Sequence, residues 1–181
     1  TQAGRSSTDI LFVAGFGHPP NVDAAKWLVA DIFPRIKMQV PSAKLILAGS
    51  NPTSEVQALA GTAVTVTGYL SDEALDGYYG RVGVAVVPLR FGAGVKGKVL
   101  EALHHALPIV TTSVGAQGLE GLDAVVPVHD EADAIADAIV EIMLNPTKWM
   151  AVAQEGSDYV HAKFSQNAVR AVFERDLHLT P

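Results

Sequence analysis

Cysteine is missing from all 181 residues, which excludes disulfides, thiolate metal sites and a cysteine nucleophile, and fits a cytoplasmic setting. Long apolar runs are missing too. None approaches the ~20 residues needed to cross a bilayer, and Thr1 to Thr8 is a polar lead without the apolar core of a signal peptide. Positive charge is in short supply, with 13 Lys and Arg against 19 Asp and Glu and a formal net charge of −6. That balance argues against nucleic acid as a partner, so any anion the chain binds must be held by a local site. No Walker A loop, no Gly-x-Ser-x-Gly elbow and no His-Glu-x-x-His pair occurs in the sequence.

What the chain does have is apolar content: 49% of residues are hydrophobic and 18% charged, enough to bury the core of one globular domain. Short continuous apolar runs recur along it. They are Asp9 to Gly15 ("DILFVAG"), Lys44 to Gly49, Val64 to Gly68, Val82 to Pro88, Pro108 to Thr112 and Ala124 to Val128. Runs of this kind are the form of strands buried on both faces. Helical patterns lie between them at Asn21 to Phe33, Thr53 to Leu59, Ser71 to Tyr79 and Lys96 to His105. Strands alternating with helices indicate right-handed crossovers and an α/β doubly wound parallel sheet of about six strands. Three helical stretches close the chain as a tail, at Glu131 to Leu144, Pro146 to Lys163 and Ser165 to Leu177. The domain organisation is then a lead at 1–8 and one domain at 9–181.

In such a sheet, ligands bind where the loops leave the carboxyl ends of the strands. The loop Leu89 to Lys98 ("LRFGAGVKGK") is the most informative. Gly92, Gly94 and Gly97 let the backbone approach a ligand closely, and no Ser, Thr, Asp or Asn stands ready to cap the helix that follows. An uncapped helix start attracts anions. Lys96 and Lys98 lie at this same positive end, an electrostatic conflict that a phosphate would resolve. Glu101 follows three residues after Lys98 and offers a carboxylate to a pair of hydroxyls. The plainer alternative is a glycine-rich loop with a Lys98–Glu101 surface pair. At "GFGHPPN", His18 is either a site residue or a turn residue, and Asn21 and Asp23 read as caps of the following helix. Trp27, Phe33 and Trp149 read as core, and His104–His105 as surface residues that cannot chelate one ion from adjacent helix positions.

The run "PLRFGAGVKGKVLEALHHALPIVTTSVGAQGL" resembles the donor-binding signature of GT-B glycosyltransferases, in particular glycosyltransferase family 4. The resemblance extends from about Ile10 to Leu177 and takes in "GHPPN", "LILAGSNP" and "VTGYLSDEAL". It implies a Rossmann-like domain forming the C-terminal half of a GT-B fold, with an N-terminal acceptor domain outside this chain. It further implies a retaining hexosyltransferase that works without a metal or other cofactor and takes a UDP-, GDP- or dTDP-linked sugar. A cytoplasmic place in polysaccharide or glycoconjugate assembly follows from the family, with peripheral attachment to the inner face of a membrane open to the full-length protein. The isolated domain should bind donor but turn over little.

Carried over by position, the resemblance implies that Gly92, Ala93, Gly94, Val95, Lys96, Gly97 and Lys98 meet the diphosphate and Glu101 the ribose. Tyr69 and Leu70 would meet the base, and Gly17, His18, Arg90, Thr112 and Gly115 would lie along the cleft. Two features depart from the family. Ala93 stands where the first glutamate of the Glu-x7-Glu motif belongs, and "GHPPN" replaces the usual Arg…Lys pair after the first strand. Other readings are a nucleotide-sugar epimerase, which shares the fold, and a non-catalytic nucleotide-binding or scaffold module.

Overall fold

A computed structural model describes residues 7–164; the expected last helix at Ser165 to Leu177 lies outside them. Five parallel strands form one sheet in the order β3-β2-β1-β4-β5. They are β1 (Asp9–Val13), β2 (Lys44–Ala48), β3 (Val64–Val66), β4 (Val84–Val87) and β5 (Ile109–Thr111). The central strands are buried on both faces, as continuous apolar runs require: Ile10, Leu11 and Phe12 of β1 and all four residues of β4 are inaccessible or nearly so.

The expected sixth strand at 124–128 is a correction. Leu122–Ala124 closes into a 3-10 turn, and only Val128 pairs, as a single parallel bridge to Thr111. Pro127 explains the shortness, because it has no N–H to give to a ladder. Its carbonyl still accepts from the Thr111 amide at 3.1 Å.

The helices are α1 (Pro19–Trp27), α2 (Phe33–Gln39), α3 (Ser54–Gln57), α4 (Asp72–Arg81), α5 (Gly97–His104), α6 (Ala132–Leu144) and α7 (Pro146–Phe164). The first begins two residues earlier than the sequence pattern suggests. Pro19 and Pro20 occupy its first turn, where a missing N–H costs nothing. Leu28–Ile32 then widens into a π turn. Pro34 accounts for it, since a proline disturbs the carbonyl four residues back, and the Phe33 amide reaches Leu28 instead. Ser71 caps α4 as expected by accepting from the Ala74 amide, and Thr53 caps the short α3 through the Val56 amide. Trp149 is buried and donates its indole N–H to the Gly83 carbonyl at 2.6 Å, which ties α7 to the start of β4.

Candidate functional site

The strand order reverses between β1 and β4, so the loops that leave these two strands diverge over a crevice at the carboxyl edge of the sheet. Packing fixes that edge closely. A Cβ on Gly49 would fall 1.9 Å from the Ala14 carbonyl oxygen, and one on Gly115 would fall 1.9 Å from Thr111 Oγ1. The Thr112 hydroxyl donates to the Leu89 carbonyl at 2.5 Å and accepts from the Gly115 amide at 3.0 Å. Thr112 is only 1% exposed. Thr112 and Gly115 therefore set the course of the loops after β4 and β5 from beneath the surface.

The β4–α5 loop crosses the mouth. Gly92 and Gly94 adopt φ of +123° and +80°, which only glycine holds without strain. A Cβ on Gly92 would come to 3.6 Å from the Pro20 ring in the first turn of α1. Lys96, 9% exposed, folds back beneath its own loop and donates to the carbonyls of Ala93 at 3.0 Å and Gly94 at 2.5 Å. Because the peptide unit is planar and trans, pinning those carbonyls turns the Gly94 and Val95 amides away from the ammonium. No side chain caps α5. Gly97, its first residue, has an ordinary backbone and nothing within 4 Å of a would-be Cβ. Neither packing nor conformation demands glycine there.

Lys98 is the second residue of α5 and the electrostatic oddity of the molecule. Its ammonium donates to Asn21 Oδ1 at 2.8 Å and sits 5.2 Å from the centre of the Phe12 ring. Among the described residues no carboxylate pairs with it. Burial, and then the nearby Lys96 charge, lower its pKa from 10.5 to about 8. The plainer alternative of a Lys98–Glu101 pair is absent. Glu101 is exposed on the next turn, beside the Tyr79 hydroxyl, whose pKa is raised by burial first and by Glu101 second.

The remaining predicted residues spread along the same edge. Tyr69 is 78% exposed after β3, and with Leu70 it borders a cavity of about 210 Å³ floored by Val13, Ala14, Ala48 and Gly49. Gly17 lies beside Asn51 and borders a separate hollow with Phe91. His18 is exposed and occupies the N-cap position of α1 without a side-chain cap bond. Arg90 makes a bidentate pair with Asp23, at 2.9 and 2.5 Å, over the Trp27 ring.

Sequence reasoning misplaced Asn21 and Asp23. Both lie inside α1 and neither caps it: Asn21 reaches the Gly15 carbonyl and Lys98, while Asp23 takes Arg90. The two prolines held the clue, because a helix that opens on Pro19 puts Asn21 past the capping position. Phe12 under Lys98 and Tyr79 beside Glu101 had no local signal. His105 stacks on Tyr79 at 4.6 Å between ring centres and is half-buried, whereas His104 is exposed.

Comparison with known proteins gives concordant results. The family described as "Glycosyl transferases group 1" matches residues 7–145. An "uncharacterized 44.6 kDa protein in cps region" of Klebsiella pneumoniae is 31% identical over 117 residues, covering 61% of this chain and 30% of that protein. Sucrose-phosphate synthase from Thermosynechococcus elongatus superposes with a TM-score of 0.72 at 24% identity, over 96% of this chain and 46% of that one. The C-terminal domain of the group 1 family protein LpcC from Francisella tularensis gives a TM-score of 0.68 at 14% identity, over 87% and 86% of the two chains. The chain thus spans less than half the length of the first two and most of the third. Its fold is the Rossmann-like C-terminal half of a GT-B structure.

Proposed function

The chain belongs to the group 1 glycosyl transferases, and from that premise we propose that it is the nucleotide-sugar-binding domain of a retaining hexosyltransferase. The observation that carries the proposal is Lys98: a largely buried ammonium, unpaired by any described carboxylate, at the uncapped positive end of α5. A diphosphate set against it would regain in ion pairing what the lysine loses in hydration. The Gly94 and Val95 amides, turned away from Lys96, add neutral donors to the same cradle.

In the reaction, the bond between the hexose C1 and the diphosphate oxygen breaks as an acceptor hydroxyl oxygen bonds to that carbon; negative charge grows on the departing diphosphate, which takes up the hydroxyl proton. Lys98 and the α5 terminus stabilise that charge from fixed positions, in a crevice where water is partly excluded. This is electrostatic catalysis, strongest when the ammonium is already in place. Gly97 lets the diphosphate come close to the helix start, Glu101 accepts the ribose hydroxyls, and Tyr69 and Leu70 border the cavity for the base. Gly17, His18 and Phe91 face the sugar end. The acceptor is held by an N-terminal domain outside this chain, so the chain alone binds donor without sustained turnover. The Klebsiella relative, named for its place in a cps region, supports an acceptor in polysaccharide or glycoconjugate assembly. No helix among the described residues is long and apolar enough to cross a membrane.

Calorimetric titration with UDP, GDP and dTDP tests this directly. Saturable binding of one nucleotide, weakened at least ~10-fold by Lys98→Ala and by Glu101→Ala, is the expected result. Binding that ignores both substitutions overturns the site.

A further inference from the structure

We propose that Asn21 is a positioning residue for Lys98: its neutral carboxamide fixes the ammonium at the mouth of the crevice and leaves its charge unspent for a diphosphate. This rests on the donor site assigned above. Among the described residues, two polar side-chain links join α1 to the segment that runs from β4 into α5. In one, Asp23 meets Arg90 through two charge-assisted hydrogen bonds, so the guanidinium is neutralised before any ligand arrives. In the other, Asn21 meets Lys98 with no charge of its own.

The orientation of the Asn21 amide follows from its partners. Nδ2 donates to the Gly15 carbonyl at 2.8 Å, an acceptor only, and Oδ1 accepts from Lys98 at 2.8 Å, a donor only. A flipped amide would lose both bonds. Pro19 and Pro20 fix the backbone on one side, and on the other Gly15 lies two residues beyond β1, whose three central residues are fully buried. The carboxamide is therefore held at both ends, and Lys98 loses less rotamer freedom on binding than a free lysine would. An aspartate of the same shape would hold Lys98 as firmly. It would also neutralise the ammonium, present an acceptor to the Gly15 carbonyl, and repel the diphosphate.

The test is titration of the 181-residue chain with inorganic pyrophosphate, for the wild type and for Asn21→Ala, Asn21→Asp and Lys98→Ala. Alongside it, the Lys98 side-chain carbon is followed by NMR against pH. Asn21→Ala is expected to weaken pyrophosphate roughly 5-fold by freeing the ammonium. Asn21→Asp is expected to weaken it ~30-fold or more and to move the Lys98 titration upward. A merely structural role predicts the reverse order, because the ion pair would keep Lys98 in place. Wild-type affinity in both Asn21 variants, with Lys98→Ala impaired, overturns this proposal alone. No binding of pyrophosphate or any nucleotide by the wild type overturns the donor site as well. Should neither variant fold, the wild-type chain decides: pyrophosphate must shift both the Lys98 and the Asn21 carboxamide signals, and a shift of Lys98 alone overturns the proposal.

Discussion

Replacing Lys98 with methionine should trade ligand binding for stability, and the size of the trade can be worked out. The fall in pKa from 10.5 to about 8 means that burial, together with the nearby Lys96 charge, penalises the charged form by about 3 kcal/mol, at ~1.4 kcal/mol per pH unit. Partial access to water reduces this to about 2 kcal/mol. Methionine removes the penalty and packs on Phe12, but it leaves Asn21 Oδ1 without its donor, which takes back about 1 kcal/mol. The net gain at pH 7 is about 1 kcal/mol, or a Tm rise of roughly 2–4 °C for a chain of this size.

The pH dependence carries the sign. Below about pH 8 both folded and unfolded states hold the Lys98 proton, so the wild type bears the whole penalty. Between about 8 and 10.5 the folded state has shed a proton that the unfolded state keeps, and wild-type stability rises with pH through this one group. Within this same range the remaining penalty falls below the ~1 kcal/mol of the bond to Asn21, which the neutral amine keeps, so the variant becomes the less stable of the two. Thermal unfolding of both proteins from pH 7 to pH 10.5 should therefore show the difference in Tm shrink and reverse. Nucleotide affinity of the variant should be at least ~30-fold lower at pH 7. In the wild type, affinity should fall above pH 8, well past the second ionisation of a phosphate near ~6. A difference in Tm that stays constant with pH, or a variant that binds nucleotide normally, would rule out a charge penalty at Lys98 and its role in holding the ligand.

Two glycines at the same edge should behave in opposite ways. Gly97→Ala meets nothing within 4 Å and strains no backbone, so its Tm should stay level or rise slightly while nucleotide affinity, read by calorimetry, falls ~10-fold because the methyl occupies the ligand's approach. Gly115→Ala drives a methyl to 1.9 Å from Thr111 Oγ1 and 3.0 Å from the Val87 carbonyl. It should cost about 2–3 kcal/mol in denaturant unfolding and lower affinity only as far as the β5 loop shifts.

The parallel sheet, the order of its elements and the uncapped start of α5 were all legible in the sequence. Each is written in local pattern: apolar runs for strands buried on both faces, a missing cap at α5, glycine at Gly92 and Gly94 where φ is positive. The π turn at Leu28–Ile32 and the lost strand at 124–128 depended on single prolines acting against the surrounding hydrophobic pattern. The roles of the charged residues were decided only by the tertiary structure. Lys96 and Lys98 look alike in sequence, two residues apart, yet one turns under its own loop and the other across the crevice to Asn21. Arg90 and Asp23 are 67 residues apart and meet only because β1 and β4 are neighbours in the sheet. Sequence fixes which groups are present and how often apolar residues recur; strand order fixes which charges find partners, and so leaves Lys98 without a carboxylate among the described residues.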